Sequence, residues 1–119
     1  RDFPWLQFYC EDNQEVLDTT LLAFRLAEDH RILLPALTCM DAFIVSHTQT
    51  ETTLPEQADV DRYLPDLDLP HRMHYDEART IGALAWPHEG LSMRLEIDEA
   101  MKRVPDVYQE CRQRFREVF

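Results

Sequence analysis

The sequence predicts an α/β fold built on a parallel sheet. The aromatic-rich segment "WLQFYC" (Trp5–Cys10) is typical of a strand, and a segment with a strong helix start follows it directly. A second apolar run, "RILLPALTC" (Arg31–Cys39), comes next with almost no linker. Strand, helix and strand within about 35 residues favour a right-handed βαβ unit, in which the two strands are parallel.

The helix of this unit has a clear beginning. Asp12 can cap it, and Glu15, three residues later, can complete a capping box. Its apolar residues form one stripe, which we expect to be the packed face: Val16, Leu17, Thr20, Leu21, Phe24 and Ala27. The unbroken apolar character of the second strand predicts cover on both of its faces, whereas Pro35 indicates an edge position or a local irregularity.

The rest of the chain is less regular until a final helix. One short helix is predicted between Pro55 and Pro65, and residues 66–90 are predicted to be a long ordered excursion with turns at Gly82 and Gly90. Ser92–Phe119 is predicted to be helical, with one apolar seam that packs onto the parent domain or a neighbouring subunit: Ile97, Met101, Val104, Tyr108, Cys111, Phe115 and Val118. Pro105 should kink this helix or split it in two.

Composition narrows the class of partner. Lys and Arg total 12 against 23 Asp and Glu, a net charge of −11, which disfavours binding to nucleic acid. No apolar run approaches the roughly 20 residues that span a bilayer, and no signal segment is evident. We therefore expect no membrane partner and a cytoplasmic location. The start at Arg1, the two glycines and the helical pattern still running at Phe119 suggest a segment of a longer chain.

Cysteine and histidine give weak signals. Cys10, Cys39 and Cys111 form no Cys-x-x-Cys pair, so we expect reduced and mostly buried thiols. A metal site could use acidic and imidazole ligands from one stretch, which contains His71, His74, Asp76 and Glu77. Because nothing in the sequence fixes the backbone there, an acid-rich surface loop is the favoured interpretation and no metal site is predicted.

The candidate site follows the second strand. Asp41, Ser46, His47 and Thr48 lie where the chain leaves it, and ligands of open α/β sheets bind beyond the carboxyl ends of strands. Spacing alone favours a simpler interpretation, in which Asp41 and Ser46 cap local turns and His47 bonds to the backbone. Ser46 and His47 are not expected to be a nucleophile and its base, since neighbouring side chains on an extended backbone point in opposite directions.

Two longer stretches carry a family resemblance. "YCEDNQEVLDTTLLAFRLAED" and "RILLPALTCMDAFIVSHTQTETTLPEQADVDRYLP" resemble the α subunit of 2-oxoacid:ferredoxin oxidoreductases of the pyruvate and ketoisovalerate type. The matching features are the Asn-Gln-Glu-Val helix entry at Asn13–Val16, the Leu-Pro strand, the loop similar to Asp-Gly-Phe-x-x-Ser-His-Thr, and the Leu64–Pro65 ending. The match covers more than half of the chain, and "TIGAL" with the last helix resembles the family more loosely.

The resemblance implies an enzyme complex. Such enzymes oxidatively decarboxylate a 2-oxoacid to an acyl-CoA with thiamine diphosphate and magnesium, and pass electrons through iron–sulfur clusters to ferredoxin or a similar acceptor. It implies that residues 1–70 are the later half of the aminopyrimidine-side (pyrimidine-type), thiamine-diphosphate-binding domain, and that residues 71–119 are an excursion and a helical linker segment leading to the next domain. Other subunits would hold most of the diphosphate and magnesium, and the clusters and coenzyme A lie outside this segment.

The resemblance also changes the interpretation of the candidate site. It favours Asp41, Ser46, His47 and Thr48 as a loop near the cofactor or substrate, while the family's cofactor-facing glutamate and substrate-facing arginine lie upstream, so no catalytic residue is assigned here. Ala42 stands where the family usually has glycine, and a positive φ there would strain the loop. The alternative from another class is a non-catalytic acidic interaction module that docks through the seam from Ile97 to Val118.

Overall fold

A two-stranded parallel sheet and three helices make up the fold. The computed structural model describes residues 3–82 and 84–119. In order along the chain, the elements are β1 (Leu6–Cys10), α1 (Asn13–Ala27), β2 (Ala36–Met40), α2 (Gln57–Tyr63) and α3 (Pro87–Val118). β1 pairs with β2 in parallel, with Leu6 opposite Ala36 and Cys10 opposite Met40. The predicted α/β class, the parallel pairing and the short helix before Pro65 are confirmed.

The start of α1 follows from its sequence. Asp12 caps the helix, because its Oδ1 accepts a hydrogen bond from the backbone N–H of Glu15 at 2.8 Å. The carboxylate of Glu15 reaches back to the N–H of Glu11 at 2.6 Å. The predicted cap is therefore present. In the predicted capping box the Glu15 carboxylate would accept from the N–H of Asp12, but here it accepts from the N–H of Glu11, one residue earlier.

The buried face of α1 differs from the predicted stripe. Its buried residues are Leu22, Ala23 and Leu26, whereas Phe24 is 54% exposed. Helical periodicity alone does not show where α3 packs. Because α1 contacts α3 as well as both strands, the face between these neighbours is the one that becomes buried.

β2 begins after an irregular turn. Leu33 has a φ of 48°, and the carbonyl oxygen of Pro35 accepts a hydrogen bond from the N–H of Leu6 at 2.8 Å. The strand proper starts at Ala36. The irregularity predicted from Pro35 is thus present, and the proline lies where it need not donate to the ladder.

Only one face of the sheet is well covered. Leu6, Phe8 and Ala36 belong to or pack against the core that α1 and α3 complete. On the opposite face, Tyr9 of β1 is 76% exposed and Leu37 of β2 is 37% exposed. The prediction that both faces of β2 are covered is wrong for the described residues.

α3 is longer and more continuous than predicted. It begins at Pro87 rather than at Ser92, so Gly90 lies inside the helix and is not a turn, whereas Gly82 does have a positive φ of 80°. Proline is well suited to a first helical position because its missing N–H would have no partner there. The helix also continues through Pro105 without dividing. Burial of Val107 just beyond Pro105 helps to hold the backbone despite the missing hydrogen bond.

The seam of α3 packs onto the same chain. Its residues in or against the main core are Ile97, Ala100, Val104, Val107, Tyr108 and Cys111. Farther along, the ring of Phe115 contacts that of Tyr63 in α2, with centroids 5.3 Å apart. The predicted packing onto the parent domain is confirmed. Docking of a separate partner would have to use what this packing leaves open, because Cys111 and Val118 are buried in the chain whereas Met101 is 38% exposed.

The thiols also lie largely in the interior. Cys10 and Cys111 are buried, Cys39 is partly buried, and all three are free. Burial raises the pKa of the Cys10 and Cys111 thiols, because the thiolate would lose its hydration. Among the described residues, no helix combines the length and apolar character that crossing a membrane requires.

Candidate functional site

The candidate residues lie at the carboxyl edge of the sheet. β1 ends at Cys10 and α1 begins at Asn13, while β2 ends at Met40 and leads into residues 41–50, which we call the β2 loop. Because the strands are parallel, both ends meet at one edge. Asp41, Ser46, His47 and Thr48 all lie in this loop and are exposed.

Asp41 shapes the beginning of the β2 loop. Its Oδ1 accepts a hydrogen bond from the N–H of Val45 at 2.7 Å, and the N–H of Thr48 donates to the carbonyl oxygen of Ile44 at 3.1 Å. Val45 is the one buried residue between positions 41 and 50. Asp41 therefore acts as the turn cap that spacing alone predicted, and its carboxylate is partly engaged by the backbone.

Ser46 and His47 contact each other directly. The Oγ of Ser46 lies 2.7 Å from Nδ1 of His47, and the N–H of Phe43 donates to the same Oγ at 3.0 Å. The expectation that the two side chains point apart is wrong, because residues 42–47 form a turn rather than an extended strand. Adjacent side chains can converge on a turn.

This pair is still not the catalytic dyad of a hydrolase. The Oγ of Ser46 already accepts a hydrogen bond from the backbone, which makes it a poorer nucleophile. Among the described residues, no carboxylate hydrogen-bonds to His47 to orient the imidazole and stabilise its charged form. The arrangement instead presents fixed polar groups at the surface.

The strained residue of the loop is Phe43 rather than Ala42. Phe43 has a φ of 74°, and Ala42 is not among the described residues with a positive φ. The prediction of strain at Ala42 is therefore wrong, since the left-handed conformation occurs one residue later, at Phe43. A bulky residue held in this conformation costs of order 1–3 kcal/mol, and the hydrogen bond from its N–H to Ser46 helps to maintain it. The Phe43 ring stacks on the His47 ring, with centroids 5.0 Å apart.

Two amide side chains tie the β2 loop and the residues just after it to the first turn of α1. Nδ2 of Asn13 donates to the carbonyl oxygen of Thr48 at 3.0 Å and to Oγ1 of Thr50 at 2.7 Å. Oε1 of Gln14 accepts from the N–H of Thr53 at 2.7 Å, and its Nε2 donates to the carbonyl oxygen of Thr53 at 3.3 Å. Thr48 is thus held through its backbone.

Sequence reasoning missed these two anchors. It used Asn13 and Gln14 only as part of a family pattern. A usable signal was present, because two amide side chains at a helix start, next to the end of a parallel strand, can reach the loop that leaves the neighbouring strand. The loop is consequently fixed from inside by Asp41 and Ser46 and from outside by α1.

The histidine and acid stretch after α2 is exposed. His74 and Glu77 form an isolated antiparallel bridge, and Glu77 pairs with Arg79 at 2.6 Å. Within residues 3–82 and 84–119, no group of three or more His, Cys, Asp or Glu side chains is placed to hold a metal ion.

Comparison with known proteins assigns a family. Residues 1–113 match the model of the family described as pyruvate flavodoxin/ferredoxin oxidoreductase, thiamine diphosphate-binding. Pyruvate synthase subunit PorA of Pyrococcus furiosus is 42% identical over 121 residues, covering 100% of this chain and 30% of that subunit. PorA of Methanothermobacter thermautotrophicus is 36% identical over 119 residues, covering 100% of this chain and 31% of that subunit.

A relative with a different printed substrate matches nearly as well. Ketoisovalerate oxidoreductase subunit VorA of Pyrococcus abyssi is 37% identical over 120 residues, covering 97% of this chain and 30% of that subunit. The chain therefore spans about a third of the length of the relatives that it matches.

The fold is an α/β domain with a parallel sheet, and its candidate site lies beyond the carboxyl ends of the two strands. The chain belongs to the thiamine diphosphate-binding family of pyruvate flavodoxin/ferredoxin oxidoreductases. Within that family it corresponds to part of the α subunit of a 2-oxoacid:ferredoxin oxidoreductase, as the resemblance in sequence implied.

Proposed function

We propose that this chain is part of a thiamine diphosphate-dependent complex that oxidatively decarboxylates a 2-oxoacid to an acyl-CoA. The observation that carries the proposal is the identity of 36–42% to two pyruvate synthase PorA subunits along the whole chain. The similar identity to a VorA subunit supports the reaction class without selecting pyruvate over a branched-chain substrate.

The β2 loop has features that suit a wall of the cofactor and substrate site. Its exposed hydroxyl and imidazole groups lie at the carboxyl edge, and hydrogen bonds from Asn13 hold its backbone in place. A site prearranged in this way loses little entropy when a ligand binds. We therefore assign Asp41, Ser46, His47 and Thr48 to this wall, with Asp41 as a shaping residue.

The remaining groups of the reaction belong to other parts of the complex. When bound, thiamine diphosphate would stabilise the carbanion that decarboxylation leaves. We assign the metal and the diphosphate to a partner subunit, as the resemblance to the family implies. Iron–sulfur clusters, coenzyme A and a ferredoxin-like acceptor complete the proposed cytoplasmic assembly.

The proposal divides the chain by role. Residues 1–70 form part of the aminopyrimidine-side domain, and residues 71–119 lead towards the next domain. The two parts share contacts, because Arg103 Nε donates to the carbonyl oxygen of Arg31 at 2.9 Å and Tyr63 donates to Cys111. We therefore expect α3 to move with the first part.

The activity can be tested on the assembled complex. The subunit that carries this chain is produced with its partners, loaded with thiamine diphosphate and magnesium, and supplied with pyruvate, 2-ketoisovalerate or an aromatic 2-oxoacid. We expect reduction of a low-potential viologen dye that requires both coenzyme A and one of these acids. A fully loaded complex that reduces no dye with any of them would contradict the proposal.

The position of the β2 loop needs a separate measurement. An experimental structure of the loaded complex should place the His47 ring at the wall of the cofactor site or at the subunit interface beside it. A distance well over about 15 Å from both would remove the loop from the site. That result would leave the proposed reaction intact.

A further inference from the structure

The hydrogen bonds around Ser46 restrict where its proton can lie. A backbone N–H can only donate, so the contact from Phe43 at 3.0 Å makes the Ser46 oxygen an acceptor. The hydroxyl has one proton of its own to give. His47 Nδ1 lies 2.7 Å away and is its partner among the described residues. The oxygen keeps a second lone pair, but the arrangement that pairs both the hydroxyl proton and Nδ1 within the chain has the Ser46 hydroxyl donating to Nδ1.

We propose that Ser46 is a positioning residue that holds neutral His47 as the Nε2–H tautomer. A neutral imidazole has one protonated nitrogen, so an Nδ1 that accepts a hydrogen bond leaves the proton on Nε2. His47 then presents an N–H donor to the site and is not a base at that atom. The inference rests on the proposed function, because it specifies what the loop offers to a bound ligand.

The orientation of the His47 ring is fixed as well as the position of its proton. The Phe43 ring stacks on the imidazole with an interplanar angle of 29°. Phe43 is itself held by the hydrogen bond to Ser46 and is 77% exposed, so its burial does not explain a positive φ. Strain that persists without a packing gain is typical of residues that fix a functional group.

The partner of such a donor is a hydrogen-bond acceptor atom. In the proposed reaction, suitable acceptors are the carboxylate and keto oxygens of the 2-oxoacid and the ring nitrogens of the aminopyrimidine. These two sources share one chemistry. If the 2-oxoacid is the acceptor, its KM depends on His47. If the aminopyrimidine is the acceptor, the dissociation constant of thiamine diphosphate depends on His47. One set of variants therefore distinguishes the two.

The tautomer can be measured without any assay of activity. The full complex is prepared with nitrogen-15 in its histidine rings, and the His47 signals are assigned from their loss in H47Q. We expect Nδ1 to have the shift of an unprotonated nitrogen and Nε2 that of a protonated one in the neutral form. The reverse assignment would overturn the proposal whether or not the complex is active.

Two amide variants test the role of the donor. The amide nitrogen of glutamine can occupy the place of Nε2, and that of asparagine the place of Nδ1. We expect H47N to raise either the KM for the 2-oxoacid or the dissociation constant of thiamine diphosphate about tenfold more than H47Q, equivalent to about 1.4 kcal/mol. A KM effect identifies the substrate as acceptor, and a cofactor effect identifies the aminopyrimidine. Equal effects of H47N and H47Q on both constants would overturn the donor role.

Variants of Ser46 test the positioning itself. S46A removes the hydroxyl, whereas S46T keeps it. We expect S46A to raise the same constant that H47N raises, either the KM for the 2-oxoacid or the dissociation constant of thiamine diphosphate. S46T should keep that constant close to its wild-type value. Urea unfolding of the same variants separates this from a structural role. The proposal would be contradicted if S46A weakened binding only in proportion to a lower unfolding midpoint and if S46T did not restore binding. A wild-type complex inactive with every 2-oxoacid would reject the proposed function instead, and the nitrogen-15 spectrum would still decide the tautomer.

Discussion

The side-chain amide of Asn13 donates a hydrogen bond to the carbonyl oxygen of Thr48, with 3.0 Å between nitrogen and oxygen. A second hydrogen bond joins the same nitrogen to Oγ1 of Thr50 at 2.7 Å. The first residue of α1 thus holds the β2 loop across 35 positions of sequence. The loop takes its position from the helix start as well as from the strand that precedes it.

Replacing Asn13 should therefore loosen the loop. We expect Asn13→Ala to speed amide hydrogen exchange in residues 48–53 and to lower the free energy of unfolding by about 1 kcal/mol, the usual contribution of such hydrogen bonds. α1 itself should persist because Asp12 still caps it. Hydrogen exchange read by mass spectrometry on the complex measures the change.

Gln57→Ala is the matched control for Asn13→Ala. Gln57 also uses a side-chain amide, donating to Asp61 at 2.7 Å, but both residues are exposed on α2. We expect no change in exchange at residues 48–53 in this control. Equal exchange in Asn13→Ala and wild type would show that the loop does not depend on α1.

Asp41 provides the second test of the loop. Asp41→Ala removes the acceptor of the Val45 N–H and should lower the free energy of unfolding by about 1–2 kcal/mol, since Val45 is buried. Asp41→Asn keeps an oxygen in the same place and should cost less than half as much. Urea unfolding of the three proteins gives the comparison.

Asp66 is the corresponding control. It is an exposed aspartate after α2 and makes no hydrogen bond or ion pair within the described part of the chain. Asp66→Ala should leave the unfolding midpoint within error of wild type. If Asp41→Asn were as destabilising as Asp41→Ala, the charge rather than the accepted hydrogen bond would be responsible.

The features that sequence predicts well here are local ones. The Asp12 cap depends on a neighbour three residues away, and the strands depend on runs of aromatic and apolar residues. The irregularity at Pro35 follows from the missing N–H of proline. Each of these is decided by contacts that lie within a few residues in the chain.

The features that sequence misses depend on distant neighbours. Phe24 is exposed and Leu22 is buried because α3 packs beside α1, which periodicity alone cannot place. The Ser46–His47 contact requires a turn whose path is set partly by Asn13, 35 positions from Thr48. An extended-strand assumption therefore gave the wrong directions for adjacent side chains.

The contact between α2 and α3 gives a third prediction. Tyr63 is 0% exposed, and its hydroxyl donates to the carbonyl oxygen of Cys111 at 3.2 Å. Tyr63→Phe should cost about 1 kcal/mol of unfolding free energy, because the hydrogen bond from the hydroxyl to the Cys111 carbonyl is lost while the ring contact with Phe115 remains. Tyr63→Ala should cost about 3–5 kcal/mol, because it also leaves a cavity.

Thermal or urea unfolding of the Tyr63 variants tests this order. Tyr75→Phe is the control, since Tyr75 is fully exposed and should be insensitive to loss of its hydroxyl. A Tyr63→Phe protein as stable as Tyr75→Phe would mean that the hydrogen bond to Cys111 contributes nothing to stability.

The final prediction concerns pH and the junction of α1 with α3. Arg31 Nη2 lies 2.8 Å from Asp29 Oδ2 and 2.7 Å from Glu110 Oε2, so it joins the end of α1 to α3. Its hydrogen bonds lower the pKa of both carboxyl groups from their ordinary values of 3.8 and 4.5. Because the folded state binds these protons less readily, the pairs stabilise it above the ordinary pKa values, and that contribution is lost as the pH falls through the lowered ones.

Arg31→Gln should therefore destabilise the protein at neutral pH and matter progressively less below about pH 4. The difference in urea midpoint between wild type and this variant, measured from pH 7 down to pH 2.5, should shrink towards zero and should also shrink in high salt, because the pairs are partly exposed. Arg112→Gln serves as the control, since Arg112 is exposed on α3, the helix that carries Glu110, and forms no ion pair among the described residues. A gap between wild type and Arg31→Gln that is constant with pH would assign the effect of Arg31 to packing of its side chain instead of to the two carboxylates.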